Sequence, residues 1–519
     1  MRITGTARAF CAVLIASALG GPAAGVAAAQ TATIDKVQAA IPRIEAMARE
    51  AVEKGLVPGL AIGIVFGNEV VYLGGFGVRE VGRPDKVDAD TVFQLASFSK
   101  PIAATVVAAL VSDGAVSWDS KIADLDPLFR LHDPYPSEQV TVRDLFAHRS
   151  GLPGAAGNEL EAIGFDRTEI LHRLRLVPPE SSFRSGYSYS NFGITAGAVA
   201  AAAGAGYVWE EAAEEKLYEP LGMTSTSSRH SDFLTRANRA ALHVMVGDAW
   251  TAKVTRDPDA QSPAGGVSSN VRDLVKWLTL EINSGRYDGR QLISKAAIGA
   301  THEPVIVRGK NHITGATGFY ALGWDVDYGD HGTVWSHAGA FSAGTRTLVS
   351  ILPGEELGIV VLANAFPTGL PEAIADAFYD TVLDGAPSRD WIATWNGIYD
   401  SAFGPKAMAA IGAALATPPA EPAPALPLAA YAATYANGYV GDAVVTVEGA
   451  GLVLALGPDG AKRYPLRHFD RDTFVYSFSP EIPEVLSSAV FAVGPDQKAA
   501  ALTLDDFNAG DAVLPRKGE

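Results

Sequence analysis

Apolar positions along the chain alternate between helical and strand spacing, and the changes of period outline its architecture. Ile102, Val106, Val107 and Leu110 recur at helical spacing, and Pro101 is tolerated only in an opening turn, so a helix is predicted to begin around Ser97. Ahead of it lies an amphipathic stretch from Ile44 to Val52. Residues 61–73 then read as two strands joined at a Gly67-Asn68 turn. Ala- and Leu-rich helical stretches follow, including Phe192 to Ala203, and strand signals return at Gly344 to Ser350 and Leu357 to Leu362. Strands at both ends with helices between predict one sheet assembled from distant segments and flanked by helices, an α/β (α+β) domain closing near residue 385.

The pattern then changes. Ala409 to Leu428 is largely alanine and proline and reads as a semi-rigid linker. Beyond it, residues 443–447, 451–456, 473–478, 489–493 and 501–504 are short strand-like runs separated by turn residues, which suits a small antiparallel barrel. At the other end, Arg2 and Arg8 precede an apolar stretch from Ala9 to Leu19 and then Ala27-Ala28-Ala29, the pattern of a cleavable secretory signal. The expected division is a signal over 1–29, a first domain over 30–385, a linker over 386–428 and a barrel over 429–519, with a periplasmic or secreted location. There is no internal repeat.

Composition narrows the function classes. With 48% hydrophobic and 19% charged residues, the 519-residue chain is an ordinary globular one, long enough for two or three domains. Its formal charge of −17, more negative still without Arg2 and Arg8, repels phosphate backbones and argues against a nucleic-acid partner. The sole cysteine, Cys11, lies in the expected signal, so the mature chain is expected to hold no disulfide and no thiolate metal ligand. After the leader no run approaches the ~18 uninterrupted apolar residues of a membrane span. Oligomeric state is not legible.

The candidate chemistry begins with Ser97 and Lys100. Three positions apart at a helix start, they share one face, and a lysine with a lowered pKa can take the serine's proton. Alone, Ser-x-x-Lys is a common tetrad, equally compatible with a solvated helix end. Two further elements strengthen it. In Tyr187-Ser188-Tyr189-Ser190-Asn191, Tyr189 can relay a proton to a leaving group, and the Asn191 amide can orient Lys100 and a substrate carbonyl; the tyrosines are also compatible with an alternating strand. In His337-Ala338-Gly339-Ala340, just before the strand from Gly344, a histidine can face the nucleophile while small residues admit a substrate to the backbone; a surface turn is the plainer alternative.

In the order Ser-x-x-Lys, Tyr-x-Asn, His-x-Gly, the chain resembles the serine β-lactamase and penicillin-binding protein superfamily, in its class C, D-aminopeptidase and family VIII esterase branch. The likeness spans residues 35 to 385 and includes Pro58 to Ala61, Thr141 to Pro153, Tyr218 to Met223 and Pro263 to Ser269. Ser182 to Ser185 and the Tyr431-to-Tyr435 entry are similar to the members with a C-terminal lipocalin-like barrel. The resemblance implies that Ser97 is acylated, that Lys100 and Tyr189 share the acid and base work, and that the N–H groups of Ser97 and Ala340, beside Gly339, form the oxyanion hole. It further implies that Asn191 holds the substrate amide, that His337 assists deacylation or binds a substrate end, and that His148 and Ser150 serve a structural turn. No cofactor is implied. His337 stands where the β-lactamases use a lysine for the substrate carboxylate, so small peptides are the expected substrates, with ester cleavage or weak β-lactam hydrolysis as alternatives. A binding protein that is acylated and stays blocked shares the same site.

Other hydrolase signatures are absent. Ala340-Phe-Ser-Ala-Gly344 lacks the first glycine of a nucleophile elbow, the ten histidines show no His-Glu-x-x-His, and Gly75-x-Gly77 lacks a third glycine for a dinucleotide.

Overall fold

The structure, a computed structural model, describes residues 32–507 and 512–518; the expected signal over 1–29 lies outside the described residues. Strand Gly59–Phe66 shows how the first core is set. Side chains on a strand face alternate sides. Leu60, Ile62 and Ile64 pack with helices Ile34–Glu53 and Leu370–Asp384, while Ala61 and Val65 join a separate core on the other face. Because both faces are covered, the strand is apolar throughout rather than alternating. Gly63 lets helix Val271–Ile282 come close, since a Cβ there would stand 2.6 Å from Val275 Cγ1.

Eight antiparallel strands form this sheet, in the order Glu69–Gly77, Gly59–Phe66, Leu357–Ala363, Thr345–Leu352, Gly332–Phe341, Asp325–Gly329, Thr317–Tyr320 and Ile306–Lys310. The two earliest strands therefore join ones some 300 residues later. His337 to Ala340 lie within strand Gly332–Phe341, where the sequence placed them before one; the run is Gly-, Ser- and Ala-rich and carries little strand propensity of its own.

Ser97 sits in a 3-10 turn, Ala96–Phe98, that leads into helix Ser99–Ser112. This helix is apolar all round and buried from Ser99 to Leu110, which makes it a central element rather than a surface one. Among the described residues no single helix is long and apolar enough to cross a membrane.

The Ala- and Pro-rich segment departs from a simple linker. The expected linker over 386–428 contains helices Trp391–Phe403 and Pro405–Ala416, and only the stretch after them is extended; in the second helix alanine propagates the turns until the proline-dense run stops them. The first of these helices is tied to Leu370–Asp384: Trp391 Nε1 donates to Asp380 and Trp395 Nε1 to Asp376, each at 2.7 Å.

Beyond residue 430 comes a nearly closed eight-stranded antiparallel barrel running from Ala433–Asn437 to Val513–Pro515. A bridge from Tyr435 to Arg516 brings its ends together. Its interior is filled with aromatic rings, among them Tyr431, Tyr435, Phe474 and Phe491, with Tyr431 and Phe491 centroids 4.9 Å apart. The barrel rests on the first unit through Tyr439, beside the segment 157–162, and through Glu481, 3.5 Å from Arg256.

Candidate active site

The turn carrying Ser97 begins at Ala96, which has φ of +49° although it is not glycine, a conformation retained only where surroundings enforce it. One turn on, the Lys100 amine is fully buried. Its Nζ lies 3.0 Å from Ser97 Oγ, 2.7 Å from Asn191 Oδ1 and 2.9 Å from the Ala264 carbonyl oxygen. The last two oxygens can only accept. An uncharged amine has two hydrogens and one lone pair, so it satisfies both oxygens and keeps the lone pair for the Ser97 hydroxyl. Burial does hold the amine well below the usual lysine pKa, opposed in part by the Asp325 carboxylate.

Asn191 reaches this position because it opens helix Asn191–Gly204. Ser190 caps that helix, its Oγ accepting the Gly193 N–H at 3.0 Å. Just upstream, Tyr189 lies against the same amine, its ring centroid 4.5 Å from Lys100 Nζ. Burial raises the phenol's pKa, so Tyr189 stays protonated and free to donate. Tyr187 and Tyr189 are in a loop rather than a strand.

His148 fixes this loop from both sides. Its carbonyl accepts the Ser188 N–H at 2.8 Å and its Nδ1 accepts the Ser190 N–H at 3.0 Å, while its ring packs 4.6 Å from that of Tyr189. The Nδ1 acceptor role places the single proton on Nε2. Burial keeps this imidazole uncharged, and any positive charge gained by Lys100 or His337 would oppose its protonation further.

His337 is also neutral, but as the other tautomer. Its Nδ1–H donates to the Ala338 carbonyl at 2.7 Å, which leaves Nε2 to accept from the Tyr320 hydroxyl at 3.0 Å. Burial first, then Lys100, pushes its pKa down to about 3. It faces Tyr189 with ring centroids 6.3 Å apart.

The strand pairs with Asp325–Gly329 only as far as Ser336, so among the described residues no strand pairs with the outer edge from His337 to Phe341, which faces the nucleophile turn. Gly339 makes that approach possible. A Cβ there would lie 2.0 Å from the Leu95 carbonyl oxygen and 2.9 Å from the Phe98 N. Gly339→Ala is therefore expected to displace the turn and slow acylation at Ser97 by about a hundredfold, as a 1 Å misplacement can do, measured by stopped-flow with an activated ester. Ala340 follows on the same edge.

All three sequence elements thus meet at one place. Three participants were not singled out by the sequence: the Ala264 carbonyl, inside the Pro263-to-Ser269 match but a backbone atom any residue supplies; Tyr320, an isolated tyrosine; and Asn158, whose Oδ1 accepts from Asn191 Nδ2 at 3.3 Å. On one rim, Arg308 pairs with Asp325 and Asp327, each at 2.9 Å, and burial pushes the Asp325 carboxyl up to about 7.

Comparison with known proteins places these features among relatives. The Beta-lactamase family profile matches residues 44–382, and a domain of unknown function, DUF3471, matches residues 417–514. The "Unguisins hydrolase ungD'" of Aspergillus campestris is 23% identical over 86% of this chain and 86% of its own length. "Penicillin-binding protein 4" of Amycolatopsis lactamdurans is 26% identical over 59% of this chain and 81% of its own. Among solved structures, the octameric penicillin-binding protein homologue from Pyrococcus abyssi has a TM-score of 0.55 at 19% identity, covering 92% of this chain and 100% of that one. The class C β-lactamase from Rhodobacter sphaeroides has a TM-score of 0.53 at 23% identity, covering 67% and 99%.

Proposed function

The chain belongs to the Beta-lactamase family, and from that membership we propose that it is an exported serine hydrolase that cleaves amide bonds of small peptides through an acyl-enzyme on Ser97. One observation carries the reading: a buried amine 3.0 Å from Ser97 Oγ, with two obligate acceptors holding its other directions. Ser97 Oγ attacks the carbonyl carbon as its proton passes to Lys100. The oxyanion forms against the N–H groups of Ser97 and Ala340, each donor contributing on the order of 3 kcal/mol. Tyr189 then delivers a proton to the departing amine, the C–N bond breaks, and water later releases the acyl group by the reverse proton path. Asn191 holds both Lys100 and the substrate amide.

His337 supports peptides over β-lactam antibiotics. As a neutral ring whose nitrogens are both engaged, it offers no fixed positive charge to a substrate carboxylate. Export is supported by the leader-like pattern of residues 1–29.

The test is a screen of the mature protein against L- and D-peptides, short-chain nitrophenyl esters and nitrocefin. Steady turnover of a peptide series is the expected result. Turnover of esters alone would make it a carboxylesterase, and one equivalent of product with no steady phase would make it an acylated binding protein; either would overturn the peptidase reading.

A further inference from the structure

We propose that the C-terminal barrel helps to aim the catalytic base: Tyr439 is a positioning residue that grips the chain on either side of Asn158, and Asn158 in turn holds the Asn191 amide with its oxygen on Lys100. The inference rests on the reading of Ser97 and Lys100 given above.

A primary amide has two ends of nearly equal size. Asn191 must present Oδ1 to Lys100, because its NH2 group would compete with Ser97 for the lysine lone pair. What selects the oxygen is an acceptor for the opposite end, and that acceptor is Asn158 Oδ1, 3.3 Å from Asn191 Nδ2. Asn158 begins a short helix, Asn158–Ala162, too small to hold its own position. The Tyr439 hydroxyl supplies the missing anchor. It accepts the Gly157 N–H at 3.0 Å and donates to Glu159 Oε1, so one oxygen atom binds the residues immediately before and after Asn158.

Tyr439 is itself fixed from the barrel side. It is 1% exposed. Its N–H and that of Val440 both donate to Asn437 Oδ1, at 3.0 and 2.7 Å, and its carbonyl accepts from Arg173 Nη1 at 2.6 Å. The loop between the first two barrel strands is thereby tied to the catalytic unit, and the path from barrel to base runs through Tyr439, the 157–159 backbone, Asn158, Asn191 and Lys100. The interior of the barrel, filled by its own aromatic rings, plays no part in this path.

The experiment uses the full-length chain and p-nitrophenyl butyrate, with acylation of Ser97 followed before the steady state. Tyr439→Phe, Asn158→Ala and the double variant are compared with the unmodified protein, folding being checked by circular dichroism. The expected result is an acylation rate lowered about tenfold in each single variant, an unchanged half-saturating ester concentration, and a double variant no slower than the slower single one, because both act through one path. Glu159→Gln keeps an acceptor for the Tyr439 hydroxyl and is expected to acylate faster than Glu159→Ala. Unaltered acylation in folded Tyr439→Phe, or losses that multiply in the double variant, would overturn the proposal. If Tyr439→Phe does not fold, the Asn158→Ala and Glu159 variants decide: normal rates in these overturn it. An unmodified protein that is not acylated at Ser97 would instead refute the serine hydrolase reading on which the proposal rests.

Discussion

Ser97→Ala is expected to abolish acylation by an activated ester, a loss of at least about 10⁴-fold, while the fold is retained. In the proposed mechanism the hydroxyl supplies the atom that becomes covalently bound to substrate, so no neighbouring group compensates. Its removal leaves Lys100 with its two acceptor oxygens, Asn191 Oδ1 and Ala264 O, and the surrounding turn still packed against Gly339. Stability is expected to change by no more than ~0.5 kcal/mol. Incubation with p-nitrophenyl butyrate followed by intact-protein mass spectrometry checks this, the unmodified chain gaining one acyl group and the variant none.

Lys100→Met is expected to lower the acylation rate by about 10³-fold, the range of a lost general base, and also to change how stability depends on pH. In the unfolded chain the lysine titrates near its ordinary value of 10.5, whereas in the folded protein burial holds it well below that. Between those two values the unfolded state binds the extra proton, so the unmodified protein gains stability as pH rises through that window, and the gain ends near the unfolded value. The variant lacks this slope, whatever constant offset results from leaving two oxygens without a donor. Urea unfolding midpoints at several pH values measure the difference. The same titration sets the acid limb of acylation, which fails as falling pH protonates Lys100; His337, already held neutral down to about pH 3, contributes no limb near neutrality.

Much of this site was legible because its parts are local. Ser97 and Lys100 lie one helical turn apart, and Tyr189 and Asn191 flank a serine that caps a helix, so sequence spacing is spatial arrangement there. The first unit's strands at 59–66 and 357–363 announced themselves as apolar runs covered on both faces. Other features depend on contacts the sequence does not carry. Ala264 reaches Lys100 from 164 positions away and does so with a backbone atom. Strand Lys462–Asp470 carries two arginines and a proline on its outer side, at 463, 465 and 467, which masks the inward Tyr464 and Leu466. Helix Pro405–Ala416 was obscured by an alanine-rich composition that serves helix and linker alike. His148 read as part of a turn, and it does shape one; its grip on the backbone around Tyr189 appears only when both segments are folded together.

The central claim is that Lys100 is an uncharged amine in the resting enzyme, and its ionisation can be observed directly. In protein labelled with [¹³Cε]lysine, the Lys100 resonance, assigned by its absence from Lys100→Met, is followed by NMR as pH is varied. The account predicts a chemical shift of a neutral amine at pH 7.5, with protonation only at lower pH. A Lys100 resonance that remains that of an ammonium group at pH 7.5 and titrates near 10.5 would contradict it.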